Sequence, residues 1–251
     1  MGMRRLANFL VTAILLTSAA VAFLIGWFFG YYGARIYLPP QQELRAVSAE
    51  TGICRTSGSQ EFITLEATPA TLRDAILAAE DPDYFTRPSV YLPALDLLWG
   101  MFDRRPRNRS AAITAPVARC LMTRSRQCWQ TQLEWHVCGF LLSYRMQTRL
   151  SRDFIFELFV NETYFGRDAW GAAAAADAYF GKALSDLTLD ESAFIAALPR
   201  APSLLAANPQ RATARRNLVI DRMLAKGIVT AEDAAAAKSQ PLVLAPTATP
   251  G

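Results

Sequence analysis

Between Arg5 and Arg35 the chain carries no charged residue, and Leu6 to Tyr32 is dominated by Leu, Ala, Val, Ile and Phe. As a helix that run is long enough to cross a hydrocarbon core, and it predicts a transmembrane segment over 6–32. Arg4 and Arg5 precede it, so the positive-inside bias leaves 1–5 in the cytoplasm and the rest of the chain across the membrane. A cleaved signal peptide ending near Ser18-Ala19-Ala20 is the competing reading. The apolar run, however, continues through Phe23, Leu24, Trp27, Phe28 and Phe29, further than a signal core needs. Trp27, Tyr31 and Tyr32 suit the far interface, where aromatic belts sit.

Residues 33–67 mix polar and extended signals and read as a connector, with one strand around Phe62 to Leu65. From 68 to 240 helix signals follow one another. Thr68-Pro69 opens a helix whose Leu72, Ile76 and Ala79 share a face and lead directly to Glu80-Asp81. Thr114 and Pro116 mark a second start. Ser151 caps a helix with Phe154, Ile155, Leu158 and Phe159 as its apolar stripe. Thr188 and Glu191 form a capping box, and Pro199 stops the helix that follows. Asn208-Pro209 opens a segment that closes at Gly227, and Thr230 starts an Ala-rich helix ending before Pro241. The domain is therefore expected to be mainly α, with 241–251 a loose tail.

Composition narrows the chemistry. Hydrophobic residues make up 52% of the 251 positions and charged ones 19%, too apolar for a disordered chain. A net charge of +4 over this length gives no footprint for nucleic acid, which is not expected as a partner. The single histidine, His136, excludes any site needing two imidazoles, and no nucleophile motif surrounds it. Cys54, Cys120, Cys128 and Cys138 lack the paired spacing of a zinc site. Beyond the membrane they are free to form disulfides, in any of three pairings, with buried free thiols as the alternative.

From Arg149 onward the residues become specific: RLSRDFIFELFVNETYFG, then GAAAAADAYFGKALSDLTLDESAFIAALPRAPSLLAANP, then RRNLVIDRM. This stretch resembles the later motifs of glycosyltransferase family 51, the membrane-anchored peptidoglycan glycosyltransferases also found as transglycosylase domains of penicillin-binding proteins. The resemblance implies a lysozyme-like, two-lobed helical domain behind a single N-terminal transmembrane helix. It also implies the inner membrane of a bacterial cell, with the main domain periplasmic.

The early motifs are degraded. The family's first motif resembles E-D-x-x-F-x-x-H-x-G-x-D; here Glu80-Asp81 remain, while Arg87, Ser89 and Tyr91 hold the His, Gly and final Asp positions. The second resembles G-x-S-T-I-T-Q-Q-L-x-K; here Ile113 and Thr114 remain, both glutamines are lost, and Arg119 stands for the Lys. The third resembles R-K-x-x-E; counting back from Ser151 places Trp135, His136 and Gly139 at the Arg, Lys and Glu.

Joining a sugar hydroxyl to a lipid-linked donor needs a base for the hydroxyl proton and positive charge for the departing pyrophosphate. The resemblance implies Glu80 as the catalytic base and Asp81, Thr114 and Arg119 as substrate-binding residues. An acid at a helix C-terminus opposes the helix dipole, which argues for a functional reason to keep Glu80 there. Arg124 and Arg126 are further candidates for the pyrophosphate. Glu134 lies five residues from Gly139, roughly 140° around a helix, and cannot take over its place. The implied partners are an undecaprenyl-pyrophosphate-linked disaccharide-peptide, a growing glycan chain, membrane lipid and other wall-synthesis proteins. A divalent cation, Mg or Mn, is the implied cofactor. Leu92 to Met101 reads either as a membrane-dipping face or as ordinary core. Glu157, Asn161, Tyr164, Phe180 and Lys182 match the family and are expected to hold the fold. Losses concentrated at cleft positions also allow a second reading, a non-catalytic relative that binds the lipid-linked precursor or the synthesis machinery.

Overall fold

The computed structural model describes residues 2–54, 60–86, 112–125 and 131–246. It is mainly α, as expected. Helix α1 (Gly2–Arg35) contains the apolar stretch Asn8–Arg35, whose mean hydropathy is 2.4 and which is long and apolar enough to cross a membrane. The connector is not a plain linker. It contains α2 (Gln41–Glu50), and the expected strand around Phe62 is an extended segment with no strand partner.

Helix α3 (Ala70–Glu80) packs against α8 (Leu189–Ala197) and α10 (Pro209–Ala225), which also pack on each other. Ala193, Ala196 and Ala197 of α8 and Ala75, Ala78 and Ala79 of α3 are all buried in the shared core, and small side chains suit the close packing of these two helices. A second group is formed by α4 (Thr114–Ser125), α5 (Gln132–Arg149) and α6 (Arg152–Glu162). Between the groups lie a short hairpin, β1 (Tyr164–Gly166) with β2 (Ala169–Trp170), and α7 (Ala172–Phe180), which touches both α6 and α8. The hairpin has no counterpart in the sequence reading. Its turn residues Arg167 and Asp168 both have positive φ, a two-residue turn built without glycine at either position. After a 3-10 turn at Leu198–Arg200 come α9 (Pro202–Ala207), α10 and α11 (Ala231–Ser239).

The caps follow the sequence closely. Ser151 accepts from Phe154 N at 3.2 Å, and both the Thr188–Glu191 and Thr230–Asp233 capping boxes form. Asn208 caps α10, and Gly227 takes the positive φ that ends it. At α3 the cap is Pro69, and Thr68 instead bonds back to Thr64 O. An unforeseen capping box on Thr131 and Glu134 starts α5.

Two regions expected to be loose are docked. Helix α6 turns three polar side chains onto the connector. Glu157 accepts from Leu65 N and Arg45, Asn161 exchanges bonds with Ile63 N and O, and Glu162 accepts from Ser48, Ile53 N and Cys54 N. The beginning of the tail is pinned as well: Ala245 N donates to Tyr179 O at 2.7 Å, and Arg167 donates to Ala245 O at 2.8 Å. Cys54 and Cys120 are joined in a disulfide that ties α4 to the connector, and Cys138 is disulfide-bonded too. The Leu92 to Met101 run lies outside the described residues.

Candidate functional site

Helix α3 stops at Glu80 because Asp81 leaves helical geometry, its N–H still reaching back to Leu77 O at 2.8 Å. Both acids are buried, Glu80 at 4% and Asp81 at 1% exposure. A helix C-terminus ending in an acid needs positive charge from elsewhere, and three distant residues supply it. Arg200 grips Glu80 with both ends of its guanidinium, Nε to Oε1 at 3.1 Å and Nη2 to Oε2 at 2.8 Å. Arg222 donates to Ala79 O at 3.0 Å, and Lys226 pairs with Asp83 at 3.2 Å. A bidentate guanidinium–carboxylate pair is among the stronger protein contacts. The Arg200 side chain is nevertheless 34% exposed, so it can swing towards solvent without leaving the surface.

Beyond Asp81 the chain turns through Tyr84, whose N–H bonds Asp81 O at 3.2 Å. Tyr84 and Arg152 grip each other: the phenol donates to Arg152 O at 3.1 Å and Arg152 donates to Tyr84 O at 2.6 Å. Burial pushes the Tyr84 phenol far above its ordinary value, so it stays protonated, although Arg152 and a bond with Thr114 pull the other way. Thr114, the first residue of α4, is buried and lies beside that phenol.

Of the residues singled out from sequence, Glu80 and Asp81 thus stand together at the end of α3, and the buried Thr114 starts the neighbouring α4 close to Tyr84. Arg119 stands apart. It is exposed, about 140° around α4 from Thr114 by helical geometry. The Arg126 position lies outside the described residues, as do Arg87, Ser89, Tyr91 and the side chain of Arg124. On α5, Trp135 stacks edge-on against the exposed His136, centroids 5.4 Å apart. Among the described residues, a Cβ at Gly139 would meet Met122 alone within 4 Å, Sδ at 3.5 Å and Cε at 3.9 Å. Glu134 is occupied by its cap and by Tyr32, whose hydroxyl donates to it at 3.2 Å.

Arg200 is the residue that sequence reasoning passed over. Its signal was present, a cation between two prolines directly after a helix stop, in Leu-Pro-Arg-Ala-Pro. Lys182 meets Glu191 at 2.7 Å and Phe180 packs on Phe194, while Glu157 and Asn161 hold the connector.

A family profile described as Transglycosylase matches residues 47–224. Penicillin-binding protein 1A of Rickettsia conorii is 37% identical over 193 residues, covering 73% of this chain and 24% of that protein. Penicillin-binding protein 1A of Neisseria flavescens is 32% identical over 197 residues, with 76% and 24% covered. The chain thus spans about a quarter of the length of the curated relatives it matches. A crystal structure of penicillin-binding protein 1A from Haemophilus influenzae aligns with 74% of this chain and 18% of its own, at 26% identity and a TM-score of 0.44.

Proposed function

Because the chain belongs to the transglycosylase family, glycosyltransferase family 51, we propose that it is a membrane-anchored peptidoglycan glycosyltransferase that polymerises a lipid-linked disaccharide-peptide into glycan strands. The observation that carries the reading is Glu80, a buried carboxylate at a helix end, met by a cation from the family's later Leu-Pro-x-x-Pro segment. In this reading an oxygen of Glu80 takes the proton of the acceptor's 4-hydroxyl as the hydroxyl oxygen attacks the donor's anomeric carbon. The carbon–oxygen bond to undecaprenyl pyrophosphate breaks, and its configuration inverts. For Glu80 to act, Arg200 must release at least one of its two contacts as the acceptor arrives. Asp81 and Thr114 orient the sugar side of the site, and Arg119 meets pyrophosphate delivered from the exposed face of α4.

A Mg or Mn ion would supply further charge neutralisation to the pyrophosphate. Among the described residues no three His, Cys, Asp or Glu side chains converge to hold one, so no step is routed through it. The proposed setting is the inner membrane of a bacterial cell, N-terminus cytoplasmic and the helical domain periplasmic, among other wall-synthesis proteins. The non-catalytic reading finds no support in the relatives. One assay separates the two: labelled lipid-linked disaccharide-pentapeptide, read as glycan chains on a gel. Product above a no-enzyme control that disappears with Glu80→Gln supports transfer, whereas lipid binding without product would sink it.

A further inference from the structure

Helix α1 meets α5 at the point where the apolar run ends. Arg145 donates Nη2 to Gly33 O at 2.5 Å, which also accepts from Ile36 N at 3.3 Å, and Nη1 to Ile36 O just past the helix end. Tyr32 donates to Glu134 Oε1 at 3.2 Å, and Glu134 is itself fixed by the capping box on Thr131. Glu134 and Arg145 are about 16 Å apart along α5 at helical rise, yet they reach α1 positions within about 6 Å of each other. Helix α5 therefore crosses the end of α1 instead of running alongside it.

Past that clamp the chain has no slack. Ile36 and Leu38 are buried in the core, Pro39 and Pro40 have restricted φ, and α2 begins at Gln41 and packs on α6. A flexible tether would be rich in Gly and Ser and anchored by none of its side chains; 36–40 has no Gly or Ser and buries Ile36 and Leu38 on either side of the exposed Tyr37.

We infer that α1 is a rigid mast and not a tether, with Arg145 the positioning residue that joins it to the domain. The connection runs on to the site: α5 packs on α4, and the first residue of α4, the buried Thr114, lies beside Tyr84 in the loop after Glu80. The mast holds that loop at one height and tilt above the bilayer. The inference rests on the anchored glycosyltransferase reading, in which the substrate pyrophosphate lies at headgroup level. A fixed height then governs capture of substrate from a bilayer, while the chemistry itself is untouched.

The test uses the full chain with spin labels at Ser18→Cys and Asp177→Cys, reconstituted in phospholipid vesicles, and reads the distance distribution between them. The reference for a loose joint is the same labelled chain with a Gly-Ser insertion between Leu38 and Pro39. A narrow wild-type distribution that broadens at least about two-fold in Arg145→Ala, and is partly restored by Arg145→Lys, is the expected result. Should Arg145→Ala fail to fold, the pair Tyr32→Phe and Glu134→Gln removes the other half of the clamp and must broaden the distribution too. In turnover, Arg145→Ala raises the KM for bilayer-embedded substrate on the order of ten-fold, with kcat on detergent-dispersed substrate within about two-fold of wild type. A wild-type distribution as broad as that of the insertion overturns the mast, as does a clamp variant that broadens nothing. If the wild type makes no glycan in either setting, the glycosyltransferase reading fails, while the distance distribution still decides the mast.

Discussion

Around the end of α3, three cations reach across the chain to Glu80, Asp83 and a helix carbonyl, whereas α4 and α5 have lost the family's glutamines and second glutamate and are tied down by disulfide bonds. The two helix groups meet the same need by different means. A site that handles charge needs polar partners that can separate and re-form, and the α3, α8 and α10 group has kept them. Where the glutamines and the second glutamate are absent, order is instead imposed by covalent closure and by packing such as Met122 against Gly139. Retained ion pairs thus hold the α3 side of the site, and a crosslink holds in position the helix that carries Thr114 and Arg119.

Breaking the charged group should have the largest effect. Glu80→Gln removes the proton acceptor and is expected to lower glycan synthesis about 10²- to 10⁴-fold, measured by chain formation on a gel, with helicity and membrane insertion unchanged. Unaltered turnover would show that the polar half of the comparison is scaffolding as well. Next comes the covalent half: replacing Cys54 and Cys120 together with Ser should cost about 2–4 kcal/mol, read as a lower unfolding temperature without reductant. The comparison predicts that hydrogen exchange rises first in α4 while α3, α8 and α10 stay protected; uniform loss of protection would break it.

Acid titration sharpens the contrast more gently. Burial pushes Glu157 of α6 above its ordinary 4.5, against the pull of Leu65 N–H and Arg45. Its folded state therefore binds the proton more tightly, and its contribution, full below 4.5, is lost as pH rises through the folded value. Glu191 of α8 is also pushed up by burial, but its bonds to Lys182 and Thr188 outweigh that and hold it below 4.5. Its contribution is present above 4.5 and lost as pH falls through the lower folded value. Each trend should amount to under about 1 kcal/mol in helix-resolved hydrogen exchange, the first absent in Glu157→Gln and the second in Lys182→Met. The smallest effect belongs to Gly139→Glu. The space beside Met122 is ordinary contact, and a helix former in place of glycine is worth about 0.5–1 kcal/mol, so the unfolding temperature should hold or rise slightly. A clear fall would mean that α5 tolerates no side chain there.

Most of the helices were legible in the sequence because capping is local: Ser151, Thr188, Asn208 and Thr230 each act within three residues of themselves. What stayed hidden depends on distant partners. The connector reads as loose until Glu157, Asn161 and Glu162 arrive from about a hundred positions away, and Leu242 to Ala245 read as a free tail until Tyr179 and Arg167 hold them. At the candidate site, Glu80, Asp81 and Thr114 were singled out through the motif pattern. Arg200 was passed over, because a cation between two prolines marks a position worth noting but does not name its partner, a carboxylate 120 residues earlier. The pairing of Cys54 with Cys120 was equally invisible to spacing alone.

The grip of α6 on the connector also sets an order of events during synthesis. Segment 44–65 emerges from the ribosome before residues 157–162 exist, so the acceptors for Ile53 N, Cys54 N, Ile63 N and Leu65 N reach it late. Contacts so distant in sequence slow folding, since a long loop must close before any of them is made. The residues nearest α1 are thus among the first made and among the last to find their places. In the interval Cys54 waits unshielded for a partner that follows it by 66 positions.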